Sequence, residues 1–171
     1  MISLRSMEAT LSDYLHMQAW FAEEELQQFV WCDEKGEGEV SLDRIEEKYG
    51  GRVKAQKDVF PYFILNDGKP IGFIQYYIHN ETTVGLDMWI GEKAQRSRGF
   101  GSEALRQMVR LIHEKHPEKT TLFIDPEVEN KRAVRCYEKA GFRHAGIFTD
   151  DEGNACCMMK IVFEQEEKHE N

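Results

Sequence analysis

The chain has 171 residues, 41% of them hydrophobic, and carries a formal net charge of −9. That is enough chain for one domain with one good core rather than two. The acidity argues against nonspecific nucleic-acid binding and suits a cationic small molecule, although a surplus of acid also simply keeps a protein soluble.

Ile2–Met7 alternates and reads as a first strand. Thr10 or Ser12 can cap a helix running to about Ala22, and a second helical piece follows through Glu23–Trp31. Asp33–Val40 is charged and broken by glycine, which predicts a loop. Ser41 then caps a short helix expected to stop at Gly50-Gly51. Phe60–Leu65 and Ile71–His79 form a hairpin around Asn66-Asp67-Gly68-Lys69, and Thr83–Ile90 is the next strand. From Gly99 to His116 the period turns helical, with Leu105, Met108, Val109 and Ile112 on one face. Thr120–Asp125 is a short strand. Asn130 caps a helix whose inner face is Ala133, Cys136, Tyr137 and Ala140, and Gly141 ends it. Phe142–Thr149 and Ala155–Phe163 make a last hairpin, and the charged tail beyond is expected to fray. The order predicts an α/β (α+β) fold: a mixed central sheet flanked by helices on both faces.

The N-terminus shows no basic-then-apolar signal pattern, and no apolar run approaches the roughly 20 residues of a membrane span. A cytoplasmic protein that engages no membrane and no nucleic acid is expected. Cys32, Cys136, Cys156 and Cys157 give no C-x-x-C pair, and the six histidines show no metal spacing. Free, mostly packed thiols and no metal site are the simplest expectation.

Arg96-Ser97-Arg98-Gly99-Phe100-Gly101 lies between a strand and a long helix. Its glycines permit unusual backbone angles and close approach of a ligand. The free N–H groups of the first helical turn, with the helix dipole, favour an anion there. Arg96 and Arg98 reverse the charge locally, which suits a pyrophosphate. No G-K-[ST] follows and the three-glycine dinucleotide spacing is missing. A plain strand-to-helix turn is the other reading.

Gln95–Gly101, Q-R-S-R-G-F-G, resembles the Arg/Gln-x-x-Gly-x-Gly/Ala motif of the GNAT N-acetyltransferases. N-K-R-A-V-R-C-Y-E-K-A-G-F, Asn130–Phe142, resembles their Asn-x-x-Ala-x-x-x-Tyr-x-x-x-Gly-Phe helix. Gly85-Leu86-Asp87, Asp125-Pro126 and the Gly68–Tyr77 stretch are similar in particular to aminoglycoside 6'-N-acetyltransferases. The resemblance covers Phe60–Phe163, and Ser97 departs from it where many members have glycine. It implies one GNAT domain over 1–171, with 163–171 as a frayed tail. The implied enzyme uses acetyl-CoA and acetylates a primary amine of a cationic small molecule, the 6'-amine of an aminoglycoside foremost, with a role in antibiotic resistance. A polyamine, a lysine-like metabolite or a protein N-terminus is the alternative acceptor, and a non-catalytic acetyl-CoA sensor the alternative class.

The resemblance also implies residue roles. An ammonium group must lose a proton before it can attack a thioester. Asp87 and Asp125 are the candidates to accept it and to hold the amine, while a bulge-stabilising or loop-capping acid is the bland reading of each. Tyr137 is the candidate proton donor to the departing thiolate. A backbone N–H on Asp87–Ile90, that of Met88 or Trp89, is expected to face the developing oxyanion. Coenzyme A contacts are expected from Met88, Trp89, Ile90, Arg96, Ser97, Arg98, Gly99, Phe100, Gly101, Ser102, Asn130 and Ala133. Trp20, Trp31 and Tyr76 are expected to line the acceptor pocket, with rim charge from Glu23–Glu25 and Asp150–Glu152. A monomer or a homodimer is compatible with the chain.

Overall fold

A computed structural model of the protein describes residues 1–30 and 40–164. Trp31, Cys32 and nearly all of the predicted loop Asp33–Val40 lie outside the described residues, as does most of the tail. Seven strands form one sheet in the order β1-β2-β3-β4-β5-β7-β6. They are β1 (Ile2–Ser6), β2 (Val59–Asn66), β3 (Lys69–Ile78), β4 (Thr83–Ile90), β5 (Thr121–Ile124), β6 (Arg143–Thr149) and β7 (Ala155–Val162). All neighbours are antiparallel except β4 and β5.

Helices cover both faces, as predicted. On one face lie α1 (Leu11–Phe21), α2 (Glu24–Phe29), α3 (Leu42–Ile45) and α4 (Gly51–Ala55). They pack Met17, Phe21, Ile45 and Tyr49 onto Phe63, Phe73 and Trp89 of the sheet. On the other lie α5 (Phe100–Lys115) and α6 (Lys131–Lys139). The predicted stripe of α5 is real: Leu105, Met108 and Ile112 are fully buried against Ile74, Leu86 and Leu122. Each such side chain contributes roughly 1.5–3 kcal/mol, enough to fix the long helix on the sheet. Thr10 caps α1, accepting from the Asp13 N–H, and Ser41 caps α3, accepting from the Arg44 N–H.

One predicted stop is overturned. The chain does not leave helical geometry at Gly50-Gly51. It passes from α3 through one π-helical turn, Glu46–Gly50, directly into α4. Both glycines have right-handed helical angles, and the helix ends only at Gln56, whose φ is 40°. Gly50 is small because Tyr14 crosses there: a Cβ would sit 2.5 Å from the Tyr14 hydroxyl. The glycine serves packing between helices, a purpose that sequence punctuation cannot distinguish from a stop.

β4 and β5 pair only over Thr83↔Thr121, Val84↔Leu122 and Gly85↔Phe123. Beyond Gly85, β4 runs on to Ile90 while β5 ends at Ile124, so the two strands part. This opening in the middle of the sheet positions everything that follows.

Candidate active site

A cleft of about 710 Å³ runs through the opening, from the start of α5 to the ends of β5 and β7. The backbone of β4 shows which groups face it. Gly91 N–H donates to the Ile71 carbonyl at 2.8 Å and His79 N–H to the Thr83 carbonyl at 3.0 Å. The β3–β4 register has no shift between those points. Antiparallel alternation therefore turns the odd residues of β4, Asp87 and Trp89 included, to β3, and the even residues towards β5. The Met88 N–H thus points into the gap where β5 has ended, and the Trp89 N–H does not. The Tyr137 hydroxyl reaches the Met88 carbonyl at 3.5 Å.

At one end of the cleft is the predicted turn. Ser97 and Gly99 both take left-handed angles, φ 59° and 82°, and a Cβ on Gly99 would meet nothing within 4 Å. Gly99 is the N-cap residue of α5 and no side chain caps that helix, so the N–H groups of its first turn are left to a ligand. This open, uncapped start beside two left-handed residues fits a pyrophosphate. Gly101 has a different reason: a Cβ there would come 2.9 Å from Cys136 Sγ, so it lets α6 close onto α5. The Ser102 hydroxyl is spent the same way, donating to the Cys136 carbonyl at 2.9 Å. Asn130 caps α6, accepting from the Ala133 N–H at 3.3 Å, which commits that amide. Both residues nevertheless line the cleft, as do Met88, Ile90, Phe100 and Gly101.

Arg96 does not face the cleft as a free cation. Its side chain is 7% exposed. Nε donates to the Ile90 carbonyl at 2.9 Å, Nη1 to Glu23 at 2.6 Å and Glu25 at 3.1 Å, and Nη2 to Glu23 at 2.5 Å. Every nitrogen is engaged, so Arg96 bolts α2 to the end of β4. Glu25 also accepts from Arg132 of α6. Glu23 and Glu25 of the expected acidic rim are accordingly taken up by arginines, while Glu24 stays exposed. Arg98 stays exposed, its guanidinium 4.9 Å from the Phe100 ring centre.

At the other end lie the acids. Gln75 Nε2 donates to Asp87 Oδ2 at 2.9 Å, and Arg52 Nη1 donates to Gln75 Oε1 at 3.3 Å. Burial raises the Asp87 carboxyl, and the Gln75 hydrogen bond opposes that rise. Asp125 is pushed up to about 6, first by burial and then by the charge of Asp87. Glu127 and Asp150 extend the same wall. Burial keeps the Tyr137 hydroxyl protonated, reinforced by Cys136, Asp87 and Asp125. It also raises the Cys136 thiol, which makes that residue a poor nucleophile.

Two predicted pocket residues fall elsewhere. Trp20 is buried under α1, its ring 5.3 Å from Phe63 and its Nε1 donating to Glu92 at 2.9 Å. Tyr76 is on the α5 face, stacked 4.7 Å from Phe60 with its hydroxyl 3.2 Å from His116 Nε2. Even and odd residues of β3 face opposite sides, so Gln75 lines the cleft where Tyr76 cannot. The Trp89 ring stacks on Phe73 at 4.3 Å, inside the core. Sequence reading missed Gln75, Lys48, Arg52 and Phe148, all of which line the cleft. Gln75, a lone amide within the apolar run Ile71–Ile78, was the one legible signal.

A sheet parted beside an uncapped helix start is the architecture of an acyl-transfer enzyme that takes its acyl group from coenzyme A. The chain belongs to the acetyltransferase (GNAT) domain family, whose model matches residues 10–149. It is an N-acetyltransferase, similar in particular to the aminoglycoside 6' enzymes. Aminoglycoside N(6')-acetyltransferase type 1 of Klebsiella pneumoniae is 35% identical over 136 residues, 72% of this chain and 67% of that protein. A kanamycin resistance protein of Rhizobium radiobacter is 38% identical over 76 residues, 44% of this chain and 69% of that one. The solved aminoglycoside acetyltransferase AAC(6')-Ib in complex with coenzyme A matches with a TM-score of 0.81 at 28% identity, over 95% of both chains. A Vibrio cholerae spermidine N-acetyltransferase shares the fold at a TM-score of 0.75 and 18% identity, covering 94% of this chain and 95% of that one.

Proposed function

We propose that the protein is a single-domain, acetyl-CoA-dependent enzyme that acetylates the 6'-amine of aminoglycosides in the cytoplasm, and so confers resistance to them. The observation that carries this reading is the meeting, in one opening of the sheet, of a free backbone amide, a neutral tyrosine and a wall of carboxylates. The similarity to aminoglycoside 6'-N-acetyltransferases supports the choice of acceptor. Acetyl-CoA supplies the acetyl group as a thioester.

The chain's own residues do the rest. The first-turn amides of α5 bind the pyrophosphate, with Arg98 beside them. Asp87 and Asp125 hold the acceptor ammonium, and one of them takes its proton at a carboxylate oxygen. Asp125, pushed up to about 6, is mostly ionised at neutral pH and still basic enough to accept a proton. Gln75, braced by Arg52, keeps the Asp87 carboxylate turned to the cleft. The Met88 N–H donates to the oxygen where negative charge develops. Tyr137 Oη holds a proton for the departing sulfur. Asp150 and Glu127 add charge that draws a polycation in.

The test is coenzyme A release from acetyl-CoA with kanamycin, tobramycin, a 6'-hydroxyl analogue, spermidine and lysine as acceptors. Rapid turnover of the 6'-amines and none of the 6'-hydroxyl analogue is expected. Turnover with spermidine or lysine alone would refute the aminoglycoside assignment. Tight acetyl-CoA binding without turnover of any acceptor would refute the catalytic one.

A further inference from the structure

The last pair of β4 with β5 is Gly85↔Phe123, and Gly85 is also the register partner of Tyr77 on β3. The Tyr77 ring lies over that glycine. A Cβ on Gly85 would sit 2.2 Å from Tyr77 Cζ and 2.5 Å from its hydroxyl oxygen. The ring meets Phe123 of β5 edge-on, with 5.9 Å between centres. A side chain at position 85 would turn the phenol aside. The glycine therefore sets the Tyr77 hydroxyl at the fork of the two strands, on the sheet face that also carries Gln75 and Asp87.

Two residues beyond this point on each strand stand the acids Asp87 and Asp125. They are served unequally. Asp87 accepts from Gln75 at 2.9 Å, and Arg52 and Lys48 add positive charge. Asp125 accepts from its own backbone amide and from no side chain among the described residues. Around it are Asp87 of β4 and Asp150 of the β6–β7 turn, both acidic, then Glu127, the neutral Tyr137 hydroxyl of α6 and the Cys156 thiol of β7. The Tyr77 hydroxyl is in the opposite position, a donor with no acceptor among the described residues. Burial and the charges of Asp87 and Asp125 keep it protonated. Tyr77 is half-buried beneath the floor of the cleft rather than in its lining, so it acts on the acids and not on the bound amine.

We propose that Tyr77 is a positioning residue for the base: its hydroxyl donates, through one water at the fork, to the Asp125 carboxylate, and holds that carboxylate ionised and turned to the acceptor amine. This role presupposes that Asp125 takes the proton of the amine. A neutral donor favours the charged form of a carboxylate, so its loss makes Asp125 harder to ionise. Asp87 already has a donor in Gln75, so the larger effect falls on Asp125.

Tyr77→Phe removes one oxygen and leaves the ring on Gly85. Carboxyl-carbon NMR follows the titration of Asp125 in the full chain without cofactor, and Asp125→Asn identifies its signal. The midpoint is expected to rise by about 0.5–1 pH unit in Tyr77→Phe, more than that of Asp87. The acidic limb of kcat/KM should move up with it, while the melting point stays within about 2 °C of the parent. A merely structural tyrosine would move neither the midpoint nor the limb. An unmoved Asp125 midpoint, or a rise at Asp87 alone, overturns the hydrogen bond whatever the enzyme turns over. A raised midpoint in a protein whose kcat/KM has no acidic limb overturns instead the reading of Asp125 as base, and with it the part of Tyr77 in catalysis.

Discussion

Arg96→Ala separates two meanings of an arginine in a cofactor turn. The substitution leaves Glu23, whose side chain is 24% exposed, and Glu25, at 36%, facing each other without the cation between them. Removing one partner of a fully buried ion pair costs about 3–5 kcal/mol. Partial exposure of these carboxylates lets water take up some of that, so a loss of about 2–3 kcal/mol is expected. At roughly 2–4 °C per kcal/mol for a chain of this size, the melting point should fall by about 4–12 °C. Urea unfolding of both proteins measures the loss, and coenzyme A titration of the folded variant measures what happens to the cofactor. The pH dependence has a definite sign. Arg96 holds the Glu23 carboxyl below its usual range, so the contribution is present in full above the unfolded value of about 4.3 and is lost as the pH falls through the folded one. The gap between the two proteins should therefore be widest near neutrality and shrink below about pH 4. Stability within about 0.5 kcal/mol of the parent, together with a more than tenfold loss of coenzyme A affinity, would refute this role and return Arg96 to the pyrophosphate.

Other substitutions probe the chemistry. Tyr137→Phe should lower kcat by about 10²–10⁴-fold with the fold intact, and an unchanged kcat would remove the tyrosine from proton transfer. If Asp125 is the base, kcat/KM should fall as the pH drops through about 6, where the carboxylate takes up its proton, and Asp125→Asn should abolish that limb. Persistence of the limb in Asp125→Asn would move the role to Asp87. Gly85→Ala should destabilise by roughly 1–3 kcal/mol, because the added Cβ overlaps the Tyr77 ring across the strand pair. An unchanged melting point would show that the ring has room to turn.

Much of this was legible in the chain. The i, i+3, i+4, i+7 stripe of α5 and the Asn130 cap of α6 came from periodicity and cap chemistry, and the structure repeats both. The hairpin at Asp67-Gly68 has the two positive φ values, 48° and 81°, that such a dipeptide announces. The Q-R-S-R-G-F-G motif located the helix start but could not show that its first arginine is engaged in ion pairs. A motif marks the place of a residue, and only the fold shows that Glu23 and Glu25, about seventy positions earlier, have claimed its side chain. Aromatics line pockets and cores alike, so Trp20 and Tyr76 read as pocket residues in the sequence, and the face of a helix or strand decides between the two. Gln75 was missed because a single amide in an apolar run carries no partner's address. Asp87 faces it from a strand twelve residues on.

The early end of β5 leaves one further trace in the molecule. Met88 sits in the central strand of a seven-stranded sheet, where amides ordinarily exchange with solvent hydrogen only when the whole fold opens. Its N–H points across the gap to no strand at all. In the empty enzyme it should exchange on the timescale of solvent entry to the cleft, far ahead of the β3-bonded amides of Asp87 and Trp89 on either side. Filling the cleft with a thioester should slow that position while leaving Asp87 and Trp89 as they were, which makes an amide in the heart of the sheet a built-in gauge of occupancy.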